Sequence, residues 1–322
     1  MIAFVIRRLL ATLLVMFALS VLVFLIFFAT PGVDPAARIA GRNADPQTLA
    51  QVRHDFGLDR PKAVQYLIMM KKLFITRDLT SFVNRGAEVI PQIADAAPVT
   101  LSLVMGAAII WVVMAIAMGT IAAVMRGTFV DPLLMVIGLI GISMPVFWLG
   151  EVVNLITQSR LHDELFSWLP PLGYTPFTED PALWFKHLIF PWLTLSVAYI
   201  GLYGRVLRAS MVDTQNEDFV RTARAKGIKE QRVMLRHVLR NSMIAFVSLL
   251  GLDFGALVAG GALLTEVVFG LPGVGKLTYD SLENLDLPMI MATVMYASFF
   301  IIIANAIVDI IYGLLDPRVR VG

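Results

Sequence analysis

The chain has 322 residues, of which 58% are hydrophobic and 16% are charged, and its mean hydropathy is +0.77. Such a composition excludes a soluble enzyme, a disordered tail and a fibrous repeat, and it indicates an integral membrane protein. The absence of cysteine excludes disulfides, a thiol nucleophile and Cys-ligated metal sites. A net charge of +2 is too small to indicate a nucleic-acid partner.

Six apolar windows are long enough, or nearly so, to cross a bilayer, because about 20 helical residues span about 30 Å of hydrocarbon. The windows are 9–29, 99–124, 133–156, 188–204, 243–269 and 289–312. Arg7 and Arg8 precede the first window as they would in a secretory signal, but no small-residue cleavage site follows, so we expect an uncleaved anchor. The sequence therefore predicts an all-α, polytopic protein with six transmembrane helices.

Lysine and arginine are unevenly distributed among the segments that join these windows. With the N-terminus in the cytoplasm, the inner segments total 64 residues with 14 basic side chains, and the outer segments total 119 residues with 12. Cytoplasmic loops of membrane proteins are enriched in basic residues. We therefore expect both termini to be cytoplasmic.

The first outer loop, 30–98, is long enough to fold. Asp45 has the position of an N-cap, Pro46 that of a first helical residue, and Gly57 that of a helix stop. This pattern predicts a helical loop folded over the membrane exit. The alternative is a flexible connector.

The inner loop 205–242 carries nine basic residues. Thr214 and Glu217 have the spacing of a capping box, which predicts a helix that begins there. Gly227 interrupts that helix, and residues 230–240 form a second helical pattern. The loop is predicted to be two short helices around a glycine.

One segment imitates a nucleotide site. Residues 270–276 fit the first seven positions of a phosphate-binding loop, but Leu277 stands where a Ser or Thr would ligate magnesium, and an apolar window precedes the segment instead of a strand. The four histidines have no metal-ligand spacing, and no hydrolase motif occurs. We therefore predict no catalytic residue, no metal site and no nucleotide site in this chain.

The windows contain four acidic residues and neither Lys nor Arg: the acids are Glu151, Asp253, Glu266 and Asp309. A charge at mid-bilayer costs about 2.5–3.5 kcal/mol, so a deep acid is not expected to face lipid. Glu266 and Asp309 lie near window ends, where a carboxylate is less costly, and the position of Glu151 is ambiguous. Asp253 is the deepest of the four.

Small residues surround Asp253 in a helical pattern. Gly251, Gly255 and Ala259 form a small-xxx-small ridge on which another helix can pack closely. At about 100° per residue, Asp253 lies about 200° from Gly251, and Gly260 lies about 20° from Asp253. We expect the ridge to pack on a helix and Asp253 to face a wet passage. The alternative is a hydrogen-bonded or protonated core residue without a ligand.

Residues 217–241, EDFVRTARAKGIKEQRVMLRHVLRN, resemble the cytoplasmic signature loop of permease subunits of binding-protein-dependent ABC importers. The loop is most similar to those of the dipeptide, oligopeptide and nickel group. The family signature is E-A-A-x-x-x-G; Ala223 and Gly227 match it, and Arg221 and Thr222 take its first two positions, a form typical of the peptide branch. Further blocks that resemble the family are 7–10, 31–36, 56–61 with 64–66, 143–148, 265–269 with 272–275, and 315–318.

The resemblance implies a type I ABC importer permease fold. Residues 1–98 would form an N-terminal transmembrane helix and a structured extracytoplasmic loop, and residues 99–322 a permease core with five transmembrane helices and the coupling loop 205–242. The chain would lie in the bacterial cytoplasmic (inner) membrane with a second homologous permease, two cytoplasmic ATPase subunits and an extracytoplasmic substrate-binding protein. The chain would bind no cofactor, because the ATPase subunits would bind ATP and Mg.

The resemblance also implies where the ATPase contact lies. A small residue and a glycine let a short helix and its turn fit a cleft of a partner. The expected coupling residues are Glu217, Phe219, Val220, Arg221, Thr222, Ala223, Lys226 and Gly227. The alternative is a solvated basic loop held at anionic lipid. The candidate substrate-pathway residues are Asp253, Gly260, Glu266 and Glu151.

The implied activity is ATP-driven uptake of peptides by alternating access. Related systems carry nickel chelates, glutathione and short oligosaccharides, and these substrates stay open. A stand-alone secondary transporter would need inverted repeats or a proton-relay acid pair, and the sequence shows no convincing repeat. A membrane enzyme would need a catalytic constellation, and none is apparent.

Overall fold

The computed structural model describes residues 2–28, 36, 45–55, 57–84, 86–159 and 161–315. Within these ranges the regular structure is helical, apart from one isolated β-bridge between Thr80 and Glu88. The all-α prediction is confirmed.

Fourteen helices have both ends inside the described ranges and are numbered in chain order. They are α1 Ile2–Phe28, α2 Pro46–Asp55, α3 Lys62–Lys71, α4 Val89–Val124, α5 Val130–Ser143, α6 Val146–Thr157, α7 Leu161–Leu165, α8 Pro181–Thr214, α9 Asp218–Ala225, α10 Glu230–Arg232, α11 Leu239–Ala256, α12 Leu263–Val268, α13 Val274–Asn284 and α14 Leu287–Leu315. Three π-helical turns continue α3, α10 and α11, respectively, at Lys72–Thr76, Val233–Val238 and Leu257–Gly261.

Four helical segments of the described chain are long and apolar enough to cross a membrane: Val89–Val124, Pro181–Thr214, Glu230–Gly261 and Leu287–Ala306. The bent pair α5 and α6 makes a fifth span if it is counted as one. In α1 the apolar part found among the described residues is shorter, Leu13–Ile26. The protein is therefore polytopic, and each of the six predicted windows coincides with a helix or a helix pair.

The third window is not the straight span that its length predicts. Its two helices, α5 and α6, meet at an angle of 91°. Met144, between them, has an extended backbone with φ −84° and ψ 124°, because the ring of Pro145 disfavours helical geometry in the preceding residue. The apolar window identified the hydrophobic stretch correctly but missed this break.

The fifth window is broken as well. Its helix α11 passes into the π-helical turn Leu257–Gly261, in which Gly260 has φ +110°. L-residues with a side chain rarely adopt this backbone conformation, so the regular helix ends there and α12 starts after it. Gly260 therefore lies at a kink, and the angle of about 20° from Asp253 predicted for it assumed an unbroken helix.

The main core lies between α4 and α8, which pack closely against each other. An added Cβ on Gly106 would lie 2.0 Å from the ring of Trp192. The side of α8 facing α5 is equally tight, since a Cβ on Gly201 would lie 2.2 Å from the carbonyl oxygen of Gly138. Such glycine contacts let membrane helices pack at backbone distance.

The predicted helical loop between the first two windows is present. Its first helix, α2, begins at Pro46, and Gly57 follows the helix end with φ +65°. The second helix, α3, packs in a cluster with Val23 of α1 and Met289 of α14. This packing disagrees with a flexible connector.

Candidate functional site

The inner loop centres on α9, a helix of eight residues with one apolar side. Val220 is 0% exposed and Ala223 is 6% exposed, and both belong to the buried cluster that includes Val233 and Met234. These two residues therefore anchor α9 to the chain's own core. They are not accessible on the loop surface. The sequence had led us to expect that they contact a partner there.

The opposite side of α9 faces outward. Phe219 is 40% exposed, and Arg221, Thr222 and Lys226 are exposed, as is Glu217 just before the helix. A large aromatic ring among basic side chains on a short projecting helix is a surface suited to a protein contact. The expected coupling residues thus divide into an outward group and the inward pair Val220 and Ala223.

The end of α9 is a Schellman motif. The amide of Gly227 donates to the carbonyl oxygen of Arg224 at 2.9 Å, and the amide of Ile228 donates to that of Ala223 at 3.3 Å. Gly227 has φ +73°, the left-handed conformation that this motif requires. The predicted interruption at Gly227 is confirmed, and its cause is a cap that favours glycine.

The predicted capping box at the start of α9 is wrong. Thr214 is the last residue of the long helix α8, and Glu217 is the N-cap of α9 without a side-chain cap hydrogen bond. The Thr214 hydroxyl instead accepts a hydrogen bond from the Ser242 hydroxyl at 3.1 Å. The second predicted helix starts at Glu230 as expected, but it continues through a π-helical turn into α11 instead of ending at 240.

Two ion pairs shape the loop. Arg224 forms a bidentate pair with Glu230, with its Nε and Nη2 donating at 3.1 and 2.7 Å, and this pair closes α9 onto the next helix. Arg221 contacts Asp218 at 3.4 Å, with both side chains largely exposed. Exposed pairs contribute little stability, so Arg221 remains available for a charged partner.

A second bidentate pair was missed by sequence reasoning. Arg208 on α8 donates from Nε and Nη2 to the two carboxylate oxygens of Asp131 on α5, each at 2.6 Å. The Asp131 side chain is 8% exposed and that of Arg208 is 27% exposed. Both residues lie just outside the apolar windows and 77 positions apart, so neither spacing nor pattern connects them. The pair ties the helix that leads into α9 to α5.

Asp253 lies on α11 and accepts a hydrogen bond from the hydroxyl of Tyr203 on α8 at 2.6 Å. Tyr203 is fully buried, whereas Asp253 is partly exposed. The predicted ridge packs on α14, since an added Cβ on Gly255 would lie 2.1 Å from the side chain of Ala304. The ridge prediction is confirmed at Gly255, and Asp253 lies away from that contact, where it accepts its hydrogen bond from Tyr203.

Glu266 is fully buried, at 0% exposure, although it lies near the end of its window. Its Oε1 accepts from the hydroxyl of Thr100 on α4 at 2.6 Å, and its Oε2 accepts from the amide of Lys276 at 2.8 Å. An added Cβ on Gly273 would lie 2.4 Å from this carboxyl, so the glycine makes room for it. The structure therefore holds Glu266 in the interior, where it joins α4 and the start of α13.

This geometry accounts for the segment that imitates a phosphate-binding loop. The start of α13 is a helix N-terminus, where free amides and the helix dipole attract an anion. The carboxylate of Glu266 takes that position, accepting the amide of Lys276. An acceptor from the chain itself therefore occupies the place that a phosphate would take.

The remaining candidate pathway residues do not converge with these. Glu151 is exposed on α6. Gly260 lies at the kink, where an added Cβ would be 3.9 Å from the Cα of Gly275. Among the described residues, no hydrogen bond joins Glu151, Asp253 or Glu266 to another of the three. The side chain of Asp309 and the sequence blocks at 31–35 and 316–318 lie outside the described part.

Comparison with known proteins identifies the family. The family described as "Binding-protein-dependent transport system inner membrane component" matches residues 115–321, and the family described as "Binding-prot-dependent transport system membrane comp, N-term" matches residues 1–104.

Similar proteins cover the whole chain. A protein of Brucella abortus named as a peptide transport system permease is 35% identical over 320 residues, 99% of either chain. One of Sinorhizobium fredii named as a peptide ABC transporter permease is 35% identical over 317 residues, covering 98% of this chain and 99% of its own. The glutathione transport system permease of Escherichia coli K12 is 39% identical over 320 residues, again 99% of either chain. The chain therefore belongs to the permease subunits of binding-protein-dependent ABC importers, and it is a transport component without catalytic activity of its own.

Proposed function

We propose that this permease takes up peptides and forms half of a translocation pathway. A second, homologous permease forms the other half, two ATPase subunits bind ATP and Mg on the cytoplasmic side, and a substrate-binding protein delivers the substrate from outside. Both termini lie in the cytoplasm, in keeping with the distribution of basic residues. The names of the similar peptide permeases support the substrate class.

The observation that carries this proposal is the construction of α9. Its inner side is fixed to the core through Val220 and Ala223, and its outer side presents Phe219, Arg221 and Lys226. A helix held in this way transmits a push from an ATPase into the spans instead of yielding to it. The force then passes to α8 and, through the Arg208–Asp131 pair, to α5.

The spans supply one acid suited to a peptide substrate. A peptide carries an amine, amides and a carboxylate whatever its side chains. Asp253 is partly exposed and lies where a charge facing lipid would be costly, so we assign it to the pathway between the two permeases. There its carboxylate would attract the substrate amine.

Glutathione is the second candidate substrate. The Escherichia coli relative named for glutathione transport is similar over 99% of this chain. Glutathione has the same three groups as an ordinary peptide, so Asp253 could bind its amine in the same way. The two substrates differ in backbone connectivity, which the binding protein would read.

The test is uptake by the complete complex in proteoliposomes. We expect ATP-dependent uptake of a labelled peptide, with glutathione added as a competitor in a parallel series. Movement of solute, or ATP cleavage, by the purified permease alone would overturn the proposal.

Asp253→Asn tests the pathway residue, because it removes the charge at nearly constant volume. Peptides with a free amine should lose about tenfold in uptake or more, since a hydrogen bond to a charged group contributes about 1.5–3 kcal/mol. N-acetylated peptides should be unaffected. Tyr203→Phe is the control, because it removes the donor and leaves the carboxylate. Unchanged rate and selectivity in Asp253→Asn would make this residue a structural acceptor only.

A further inference from the structure

The loop helix α3 has apolar residues on two opposite sides. One side, with Met69 and Leu73, is buried in the cluster that contains residues of α1, α4 and α14. The other side is exposed: Leu67 is 64% exposed, and in the π-helical turn that follows, Phe74 is 51% and Ile75 74% exposed. We call Leu67, Phe74 and Ile75 the apolar patch. A water-facing helix would carry polar residues at these positions.

The contacts of α3 place it near one end of α1. The hydroxyl of Tyr66 lies 2.7 Å from the hydroxyl of Ser20 on α1, and its ring packs edge-on against Phe24 with centroids 5.4 Å apart. With a rise of about 1.5 Å per residue, Ser20 and Phe24 lie about 6–12 Å below the end of α1 at Phe28. The 27 residues of α1 make a helix of about 40 Å, about 10 Å longer than the hydrocarbon core. Thus α3 packs near one edge of the hydrocarbon core.

The apolar patch continues an exposed apolar surface of α1. Leu22 and Leu25 of α1, on either side of Phe24 in sequence, are 52% and 53% exposed. Exposed leucines on an apolar helix of a membrane protein are suited to contact with lipid. A neighbouring helix at the same level with its own exposed leucine, phenylalanine and isoleucine extends that surface.

Basic residues accompany the patch. Residues 71–78 contain Lys71, Lys72 and Arg77 against one acid, Asp78. Lys71 lies on the exposed side of α3 between Leu67 and Phe74. Long basic side chains beside apolar ones are typical of helices that lie in a membrane interface, where the apolar part enters the bilayer and the ammonium groups reach phosphates.

We propose that α3 and its π-helical turn lie in the plane of the membrane surface, with Phe74 and Ile75 inserted among the lipids and Lys71 and Lys72 at the headgroups. The partner of this face is the bilayer, not a protein. The loop would thereby be held to the membrane from outside the helical bundle, and this does not depend on the substrate or on which side of the membrane the loop occupies.

The natural absence of cysteine makes the test direct. Ile75→Cys is labelled with an environment-sensitive fluorophore in the complete complex in lipid nanodiscs, and Arg60→Cys, an exposed polar position just before α3, is the matched control. We expect the label at Ile75 to lie about 5–10 Å below the headgroups, where a lipid-borne quencher reaches it and a water-soluble one does not. The label at Arg60 should show the reverse.

Two results would overturn the proposal. One is equal access of the water-soluble quencher to both labels. The other is a label at Ile75 that becomes shielded only after an extracytoplasmic binding protein is added, since this would make the patch a protein-docking surface. Leu67→Cys repeats the measurement on the helix itself, in case Ile75→Cys does not assemble.

Discussion

Gly227→Leu should disable coupling while leaving the membrane spans folded. The substitution alters the Schellman cap that ends α9. An added Cβ at Gly227 has no heavy atom within 4 Å, so the new side chain meets no obstacle inside the chain. The cost arises from φ +73° alone, a backbone conformation that side-chain-bearing residues adopt reluctantly.

The expected size follows from that conformation. A residue other than glycine in the left-handed region costs about 1–2 kcal/mol. This free energy corresponds to a factor of about 5–30 in the population of the correctly capped loop. Because the contact with the ATPase would form only when the loop is correctly capped, we expect transport to fall by about this factor of 5–30. ATPase recruitment should be weakened, and insertion of the subunit should be unchanged.

The assay is peptide uptake by reconstituted complexes, with recovery of the ATPase in a pull-down measured in parallel. Gly227→Asn is the matched control, because asparagine visits the left-handed region more readily than leucine, and it should retain most activity. Undiminished transport by Gly227→Leu would refute the coupling role. An equal loss of uptake in both variants would refute the backbone explanation, since that explanation predicts a larger loss for Gly227→Leu than for Gly227→Asn.

Three further substitutions test the packing and the buried acids, each followed by thermal unfolding of the purified subunit. Asp131→Asn removes one partner of a mostly buried ion pair and should cost about 3 kcal/mol, the lower end of the usual range, because its guanidinium partner still reaches water. Gly201→Val should cost about 3 kcal/mol or more, since its Cβ would press on the backbone of α5, whereas Leu202→Val on the exposed side should have little effect. Glu266→Ala should cost about 1–3 kcal/mol for each donor left unpaired, while Glu151→Ala, at an exposed acid, should stay within about 0.5 kcal/mol. Equal unfolding temperatures for Gly201→Val and Leu202→Val, or for Glu266→Ala and Glu151→Ala, would contradict the assigned packing.

The sequence predicted those features that depend on local pattern. Window length located the spans, and Gly227 and Pro46 marked a helix end and a helix start because their backbone preferences act within a few residues. The bend before Pro145 follows from the same local chemistry, but the uniform hydropathy of the window concealed it.

The remaining features depend on distant contacts. The inward orientation of Val220 is set by packing against Val233 and Met234, and the burial of Glu266 by Thr100, 166 positions away. Thr214 has the right spacing for an N-cap, yet it is the last residue of the long helix α8. No periodicity in a single sequence encodes such partners.

The contact between Gly201 and Gly138 has a mechanical consequence. Where two helices touch through bare backbone, no rotatable side chain stands between them to absorb a displacement. At this contact, α5 and α8 therefore move together. A displacement of about an ångström at the cytoplasmic end of α8 would therefore be passed on to α5.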